Sequence, residues 1–138
     1  MPGTLPRPLP LRVILVEDSP RLCRLLAGIL GELDGVAVVG EAADEPSAIR
    51  LLGECEADLA IVDLELGAGS GLGVLRVLAS HPERFGHLRA VVFSNYGHPS
   101  LRERCHNLGA DGFFDKAFQL DDLIDYVLAA RQGNPVAY

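Results

Sequence analysis

The sequence predicts an α/β protein in which one open, doubly wound sheet of five parallel strands is covered by helices on both faces. Short apolar runs alternate five times with segments of helical periodicity. Strict alternation with short connections favours right-handed crossovers and parallel strands. The length of 138 residues suits one compact domain, whereas a (β/α)₈ barrel needs about 200 residues or more. An open sheet is therefore the better prediction.

The first strand–helix unit shows the pattern most clearly. Residues 11–16 form a short apolar run rich in β-branched side chains, as expected for a strand buried on both faces. Ser19 is a typical helix N-cap, and Pro20 suits the first helical position. The apolar residues that then recur at helical spacing are Leu22, Leu25, Leu26, Ile29, Leu30 and Leu33.

Four further units repeat this alternation along the chain. The remaining predicted strands cover residues 36–41, 58–63, 88–94 and 112–114. The corresponding helices cover residues 46–54, 72–80, 100–108 and 120–131. We expect residues 1–10 to be a disordered leader and residues 133–138 a short tail, which leaves residues 11–132 as the domain.

Composition and charge exclude several classes of function. The sequence is 49% hydrophobic and 22% charged, and no apolar run approaches the roughly 18 residues of a membrane span. It lacks a secretory signal pattern, and its three cysteines form no C-x-x-C pair, which indicates a reducing compartment. The formal charge of −7 disfavours nucleic acid as a direct partner. We therefore expect a cytoplasmic protein without membrane insertion.

Polar residues follow the predicted strands at their carboxyl ends. Glu17 and Asp18 come after the first strand, Asp63 ends the third, Ser94 ends the fourth, and Lys116 follows the fifth. In doubly wound sheets, ligands bind beyond the carboxyl ends of the strands. We therefore expect these five side chains to form one site.

The chemistry of these side chains indicates phosphoryl transfer. Three converging carboxylates repel one another unless a cation joins them, and ligands that are all oxygen favour Mg²⁺ over zinc. A carboxylate such as Asp63 can act as a nucleophile toward phosphorus. The ammonium group of Lys116 and the hydroxyl of Ser94 are suited to binding the phosphoryl oxygens.

Five motifs follow one another along the chain. They are Val-Glu-Asp-Ser-Pro (16–20), Ile-Val-Asp-Leu-Glu-Leu (61–66), Gly-Ser-Gly-Leu (69–72), Val-Val-Phe-Ser (91–94) and Gly-Ala-Asp-Gly-Phe-Phe-Asp-Lys (109–116). Their order and spacing resemble the receiver domains of two-component response regulators, and the resemblance extends from residue 11 to about residue 131. The fold that it implies is the flavodoxin-like (βα)₅ receiver fold.

The resemblance also implies a chemical role for each matching residue. Asp63 would accept a phosphoryl group from a histidine kinase or a His-containing phosphotransfer protein. Asp18 would bind Mg²⁺ directly together with Asp63, Glu17 would hold it through water, and the backbone carbonyl of Glu65 would complete the protein ligands.

Signal output is the second implication of the resemblance. Ser94 and Lys116 would contact the phosphoryl group, and Phe113 would be the switch aromatic that follows the Ser94 hydroxyl. The fourth helix, the fifth strand and the fifth helix would then form the output surface. With only a short tail after the last helix, we expect a stand-alone module that binds a downstream protein as a monomer or as a phosphorylation-dependent dimer.

Three residues depart from the usual receiver pattern. Asn95 stands where a small residue is common, and Phe113 lacks the hydroxyl of a tyrosine. Ala117 replaces the proline that often follows the lysine, and a cis peptide before a non-proline residue costs roughly 3 kcal/mol.

Three other functions remain as alternatives to the phosphorylated receiver. A degenerate receiver would act as a binding module without phosphorylation, but no acidic or lysine site residue is missing. A phosphatase of the haloacid-dehalogenase type would need a second Asp where Glu65 stands. A flavodoxin-like cofactor binder would hold the phosphate of its cofactor after the first strand, where Glu17 and Asp18 would repel it. We expect no enzymatic activity except phosphorylation and dephosphorylation of the chain itself.

Overall fold

Five parallel strands form the central sheet of the computed structural model, which describes residues 7–86, 88–95, 98–133 and 136–137. Within these residues the strands are β1 (Arg7–Pro8), β2 (Leu11–Val16), β3 (Val36–Ala42), β4 (Leu59–Val62), β5 (Arg89–Ser94), β6 (Phe113–Asp115) and β7 (Val136–Ala137). The helices are α1 (Pro20–Gly31), α2 (Glu45–Glu54), α3 (Gly71–Ser80), α4 (Pro82–Phe85), α5 (Pro99–Asn107) and α6 (Leu120–Gln132). The central sheet has the order β3-β2-β4-β5-β6, which confirms the predicted fold class.

Where both ends of a strand or helix were predicted, each end agrees with the structure to within one residue. Helix α1 begins at Pro20, and the Ser19 hydroxyl accepts a hydrogen bond from the Leu22 N–H, as the N-cap prediction requires. The short helix α4 was not predicted, because four residues are too few to show helical periodicity.

Two short strands lie within the expected leader and tail. Strands β1 (Arg7–Pro8) and β7 (Val136–Ala137) pair antiparallel. Residues 1–6, 134–135 and 138 of these two segments lie outside the described residues. The limits of the domain at residues 11 and 132 stay predictions.

Two apolar clusters hold the sheet between its helical layers. Alternate residues of β2 point to opposite faces, as strand geometry requires. Leu15 packs in the cluster beneath α1 and α6, whereas Ile14 and Val16 pack in the cluster beneath α2, α3 and α5. Burial on both faces explains why the strands read as continuous apolar runs.

The strand order brings the carboxyl ends of the inner strands side by side. The chain runs from β2 to the sheet edge at β3 and returns to β4 on the other side of β2, so the strand order reverses between β2 and β4. Val16 pairs with Val62, and the Asp63 N–H donates to the Val16 carbonyl at 2.9 Å. This is the point at which doubly wound folds bind ligands. Among the described residues, no helix is long and apolar enough to cross a bilayer.

Candidate functional site

The Asp63 carboxylate lies at the centre of the polar cluster beyond the strand ends. Asp63 follows the fully buried strand β4 and is itself only 4% exposed. Its Oδ1 accepts hydrogen bonds from the Ser94 hydroxyl at 2.7 Å and from the Glu65 N–H at 3.3 Å. Its Oδ2 is bound by the Lys116 ammonium group at 2.7 Å. Both carboxylate oxygens are therefore held by donors.

Glu17 extends the cluster from the neighbouring strand β2. Its Oε1 pairs with Lys116 Nζ at 2.7 Å, and its Oε2 accepts the Ser19 N–H at 3.0 Å. Burial raises the pKa of Glu17, and the nearby Asp63 charge adds to this, while the hydrogen bonds from Lys116 and Ser19 lower it in part.

Lys116 follows β6 and joins the two buried carboxylates. It is the one lysine of the sequence, and its ammonium group bridges Glu17 and Asp63. Burial by itself lowers the pKa of Lys116, but the hydrogen bonds to Asp63 and Glu17 outweigh burial and raise it. The next peptide bond, to Ala117, is trans, as are all those in the described residues.

Asp18 completes a group of three carboxylates that could hold a metal ion. One oxygen from each of Glu17, Asp18 and Asp63 lies within 4.8 Å of the others. With the charge of Lys116 included, the four groups carry a formal charge of −2. Asp18 is exposed, so water can reach this side of the group. Three oxygen donors, an excess of negative charge and access for water fit a hard divalent cation such as Mg²⁺.

The loop between β4 and α3 borders this site, and its glycines have steric roles. Residues Glu65 and Ser70 form an antiparallel bridge, and the Gly71 N–H donates to the Leu64 carbonyl at 3.1 Å. A side chain at position 71 would collide with the backbone carbonyl of Asp63. The glycine-rich segment is thus a closely packed turn against the site.

Phe113 and its neighbour Arg102 form a contact that the sequence did not reveal. Phe113 is half-buried and packs against the cluster beneath α5. The Arg102 guanidinium lies 4.5 Å from the centre of the Phe113 ring, and its Nη1 donates to the Phe113 carbonyl at 3.3 Å. In the sheet Phe113 pairs with Val92, two residues before Ser94. Asn95 is exposed at the end of β5.

Comparison with known proteins gives a consistent result. A family model described as the response regulator receiver domain matches residues 13–128. The transcriptional regulatory protein PdtaR of Mycobacterium tuberculosis is 32% identical over 115 residues, which cover 83% of this chain and 54% of that protein. The uncharacterized transcriptional regulatory protein YvfU of Bacillus subtilis is 26% identical over 126 residues, 91% of this chain and 62% of that protein. The chain thus spans between about half and three fifths of these two relatives.

Solved structures show the same architecture. A two-component response regulator of the LuxR family from Aurantimonas sp. superimposes with a TM-score of 0.78 and 27% identity, covering 89% of this chain and 86% of that one. The response regulator domain of CheB from Thermotoga maritima also gives a TM-score of 0.78, at 21% identity, over 91% of this chain and 99% of that one. At that lower identity the likeness concerns the fold.

Proposed function

This chain belongs to the response regulator receiver domain family, and we propose that it accepts a phosphoryl group on Asp63 in a two-component phosphorelay. One observation carries the proposal. The buried Asp63 carboxylate lies beside two further carboxylates, and both of its oxygens are held by donors, Ser94 and Lys116, that can rebind to phosphoryl oxygens. A nucleophile, two phosphate-binding donors and a cation site constitute the machinery for this reaction class.

The donor in the proposed reaction is a phosphohistidine of a histidine kinase or a phosphotransfer protein. A carboxylate oxygen of Asp63 attacks phosphorus, a P–O bond forms and the P–N bond to the imidazole breaks. The imidazole leaves with the electron pair and takes up a proton. Lys116 and Ser94 then donate hydrogen bonds to the phosphoryl oxygens. Hydrolysis of the acyl phosphate restores Asp63. The proposed catalysis is limited to phosphorylation and dephosphorylation of the chain itself.

Mg²⁺ is the proposed cofactor, held by Asp18, Asp63 and the backbone carbonyl of Glu65, with Glu17 contacting it through water. Both Glu17 oxygens already bind Lys116 and the Ser19 N–H, which supports an indirect role. The exposed Asp18 carboxylate supports a direct one. Bound Mg²⁺ supplies positive charge that offsets the charge of the phosphoryl oxygens.

Output is proposed to pass from Ser94 to Phe113 and then to the surface of α5, β6 and α6. A phosphoryl group on Asp63 adds negative charge, and the Ser94 hydroxyl gains a charge-assisted hydrogen bond by turning toward it. Phe113 lies on the next strand and responds to the space that Ser94 leaves. The proposed partner is a downstream protein, bound by a monomer or by a phosphorylation-dependent dimer. Direct nucleic-acid binding is not proposed for this sequence of 138 residues, because its formal charge is −7.

Intact-mass spectrometry tests the proposed function. The chain is incubated with acetyl phosphate or phosphoramidate, with Mg²⁺ or with a chelator. We expect the mass of one phosphoryl group to be added only when Mg²⁺ is present, and not to be added to Asp63→Asn. A parent chain that gains no mass with Mg²⁺ would instead favour the degenerate receiver.

A further inference from the structure

We propose that Glu45 is a positioning residue for the phosphoryl and metal site, an inference that rests on the proposed function. Glu45 begins α2 and is not one of the three clustered carboxylates of the site. It binds the loop of residues 65–70, here called the site loop, which borders them. We infer that this attachment sets the affinity of the site for Mg²⁺.

Two hydrogen bonds attach the site loop to Glu45. The Glu45 N–H donates to the Ala68 carbonyl at 2.9 Å, and its Oε1 accepts the Ser70 N–H at 2.9 Å. The Glu45 backbone is fixed in turn, because Asp44 caps α2 by accepting the Ser47 N–H at 2.8 Å. The loop is thus fastened at two points to a capped helix end.

Two glycines provide the space that the Glu45 side chain fills. Side chains at positions 69 and 73 would each overlap Glu45, and Gly69 has a φ of +81°. Gly73 lies inside α3, where glycine is less favourable than alanine for helix stability. Its presence is explained by the Glu45 carboxylate, which lies against the first turn of α3, where a negative charge is favourable.

The site loop transmits this attachment to the reacting groups. Ser70 is bridged to Glu65, and the Glu65 N–H donates to Asp63 Oδ1 at 3.3 Å. A Cβ on Gly67 would lie 3.9 Å from Asp18 Oδ2, so the loop also borders the exposed carboxylate. If the loop shifts, the Glu65 peptide turns away from Asp63. The backbone carbonyl proposed to bind Mg²⁺ would then lose its orientation.

Substitutions at Glu45 test the inference by Mg²⁺ titration, followed through backbone amide shifts. We expect Glu45→Ala to weaken Mg²⁺ binding about tenfold, the effect typical of losing a residue that orients a metal ligand. Glu45→Gln keeps an acceptor oxygen for the Ser70 N–H and should bind Mg²⁺ more tightly than Glu45→Ala. Glu54→Ala removes an exposed carboxylate from the other end of α2 and should match the parent. Amide exchange of Ser70 without metal should be faster in Glu45→Ala than in the parent, Glu45→Gln and Glu54→Ala.

Gly73→Ala gives an independent test that does not depend on truncating Glu45. Its methyl group displaces the carboxylate, while alanine favours the helix and so supports folding. We expect weaker Mg²⁺ binding in the parent background and no further loss in the Glu45→Ala background.

The outcomes separate this inference from the proposed function. Mg²⁺ affinity and Ser70 exchange equal to the parent in both Glu45→Ala and Gly73→Ala would overturn the role of Glu45, even if Asp63 accepts a phosphoryl group. Conversely, the Glu45 substitutions could weaken Mg²⁺ binding while the parent chain gains no phosphoryl mass. That result would refute the proposed function alone.

Discussion

Replacing Lys116 by methionine should destabilise the metal-free protein, and Mg²⁺ should restore much of the loss. The Lys116 ammonium group lies 2.7 Å from one oxygen each of Glu17 and Asp63. Those two side chains are only 4% and 5% exposed. Methionine keeps most of the side-chain volume but leaves two buried carboxylates facing each other without a cation.

The size of the effect follows from this burial. Removing one partner from a buried ion pair costs about 3–5 kcal/mol, and the 16% exposure of the Lys116 side chain points to the lower end of that range. For 138 residues the entropy of unfolding is about 0.3 kcal/mol per kelvin. A loss of about 3 kcal/mol therefore lowers the Tm by about 10 °C.

Thermal unfolding followed by circular dichroism measures both parts of the prediction. Parent and Lys116→Met are compared in a chelator and in Mg²⁺, with Arg50→Met, an exposed site on α2, as the control. Mg²⁺ at about ten times its dissociation constant stabilises the parent by about 1.4 kcal/mol. The gain should be larger in Lys116→Met, because the cation also relieves carboxylate repulsion. A variant that melts with the parent in chelator would refute the reasoning.

Three further predictions address packing, ionisation and the switch. Gly71→Ala should destabilise the protein by about 3 kcal/mol or more, because its methyl group meets a backbone carbonyl, whereas Gly28→Ala, with open space around it in α1, should stabilise it by up to about 1 kcal/mol; urea unfolding decides both. Burial and a hydrogen bond to a carboxylate raise the pKa of Tyr126 to about 12. Folding therefore gains stability that is complete below the ordinary tyrosine pKa near 10 and is lost as the pH rises toward 12. An ultraviolet titration should show a tyrosine that ionises near pH 12 in the parent and not in Tyr126→Phe. Ser94→Ala should still accept the phosphoryl group but lose the amide shifts that beryllofluoride causes near Phe113, and equal shifts in both proteins would contradict the proposed route.

The fold was predictable from the sequence because its signals are local and repeated. Ser19 and Pro20 mark the start of α1, and the apolar run of residues 11–16 is buried on both faces, so periodicity and capping suffice. The short helix Pro82–Phe85 and the paired two-residue strands at the chain ends carry no such signal. Elements of only about one period cannot be separated from loops by pattern.

The candidate site was predictable only as far as topology determines it. Side chains that follow parallel strands must meet at one sheet edge, and the structure brings Lys116 and Ser94 into contact with Asp63. Side-chain contacts between separate elements produce no pattern in the sequence. Glu45 binds Ser70 across 25 positions of sequence, and Arg102 covers the Phe113 ring across a helix–strand interface. Such pairs depend on how neighbouring elements pack, which periodicity does not encode.

The single lysine makes the site open to a simple proteolytic experiment. A lysine-specific protease can cut this sequence only after Lys116, which would yield fragments of residues 1–116 and 117–138. The Lys116 side chain is 16% exposed, and its ammonium group is bound by two carboxylates, so cleavage requires the segment to detach from the sheet edge. When the segment recloses faster than the protease cuts, the rate of that one cut therefore follows the population of the open form. Metal, phosphoryl group or partner protein could each be ranked by how far it slows the appearance of the smaller fragment.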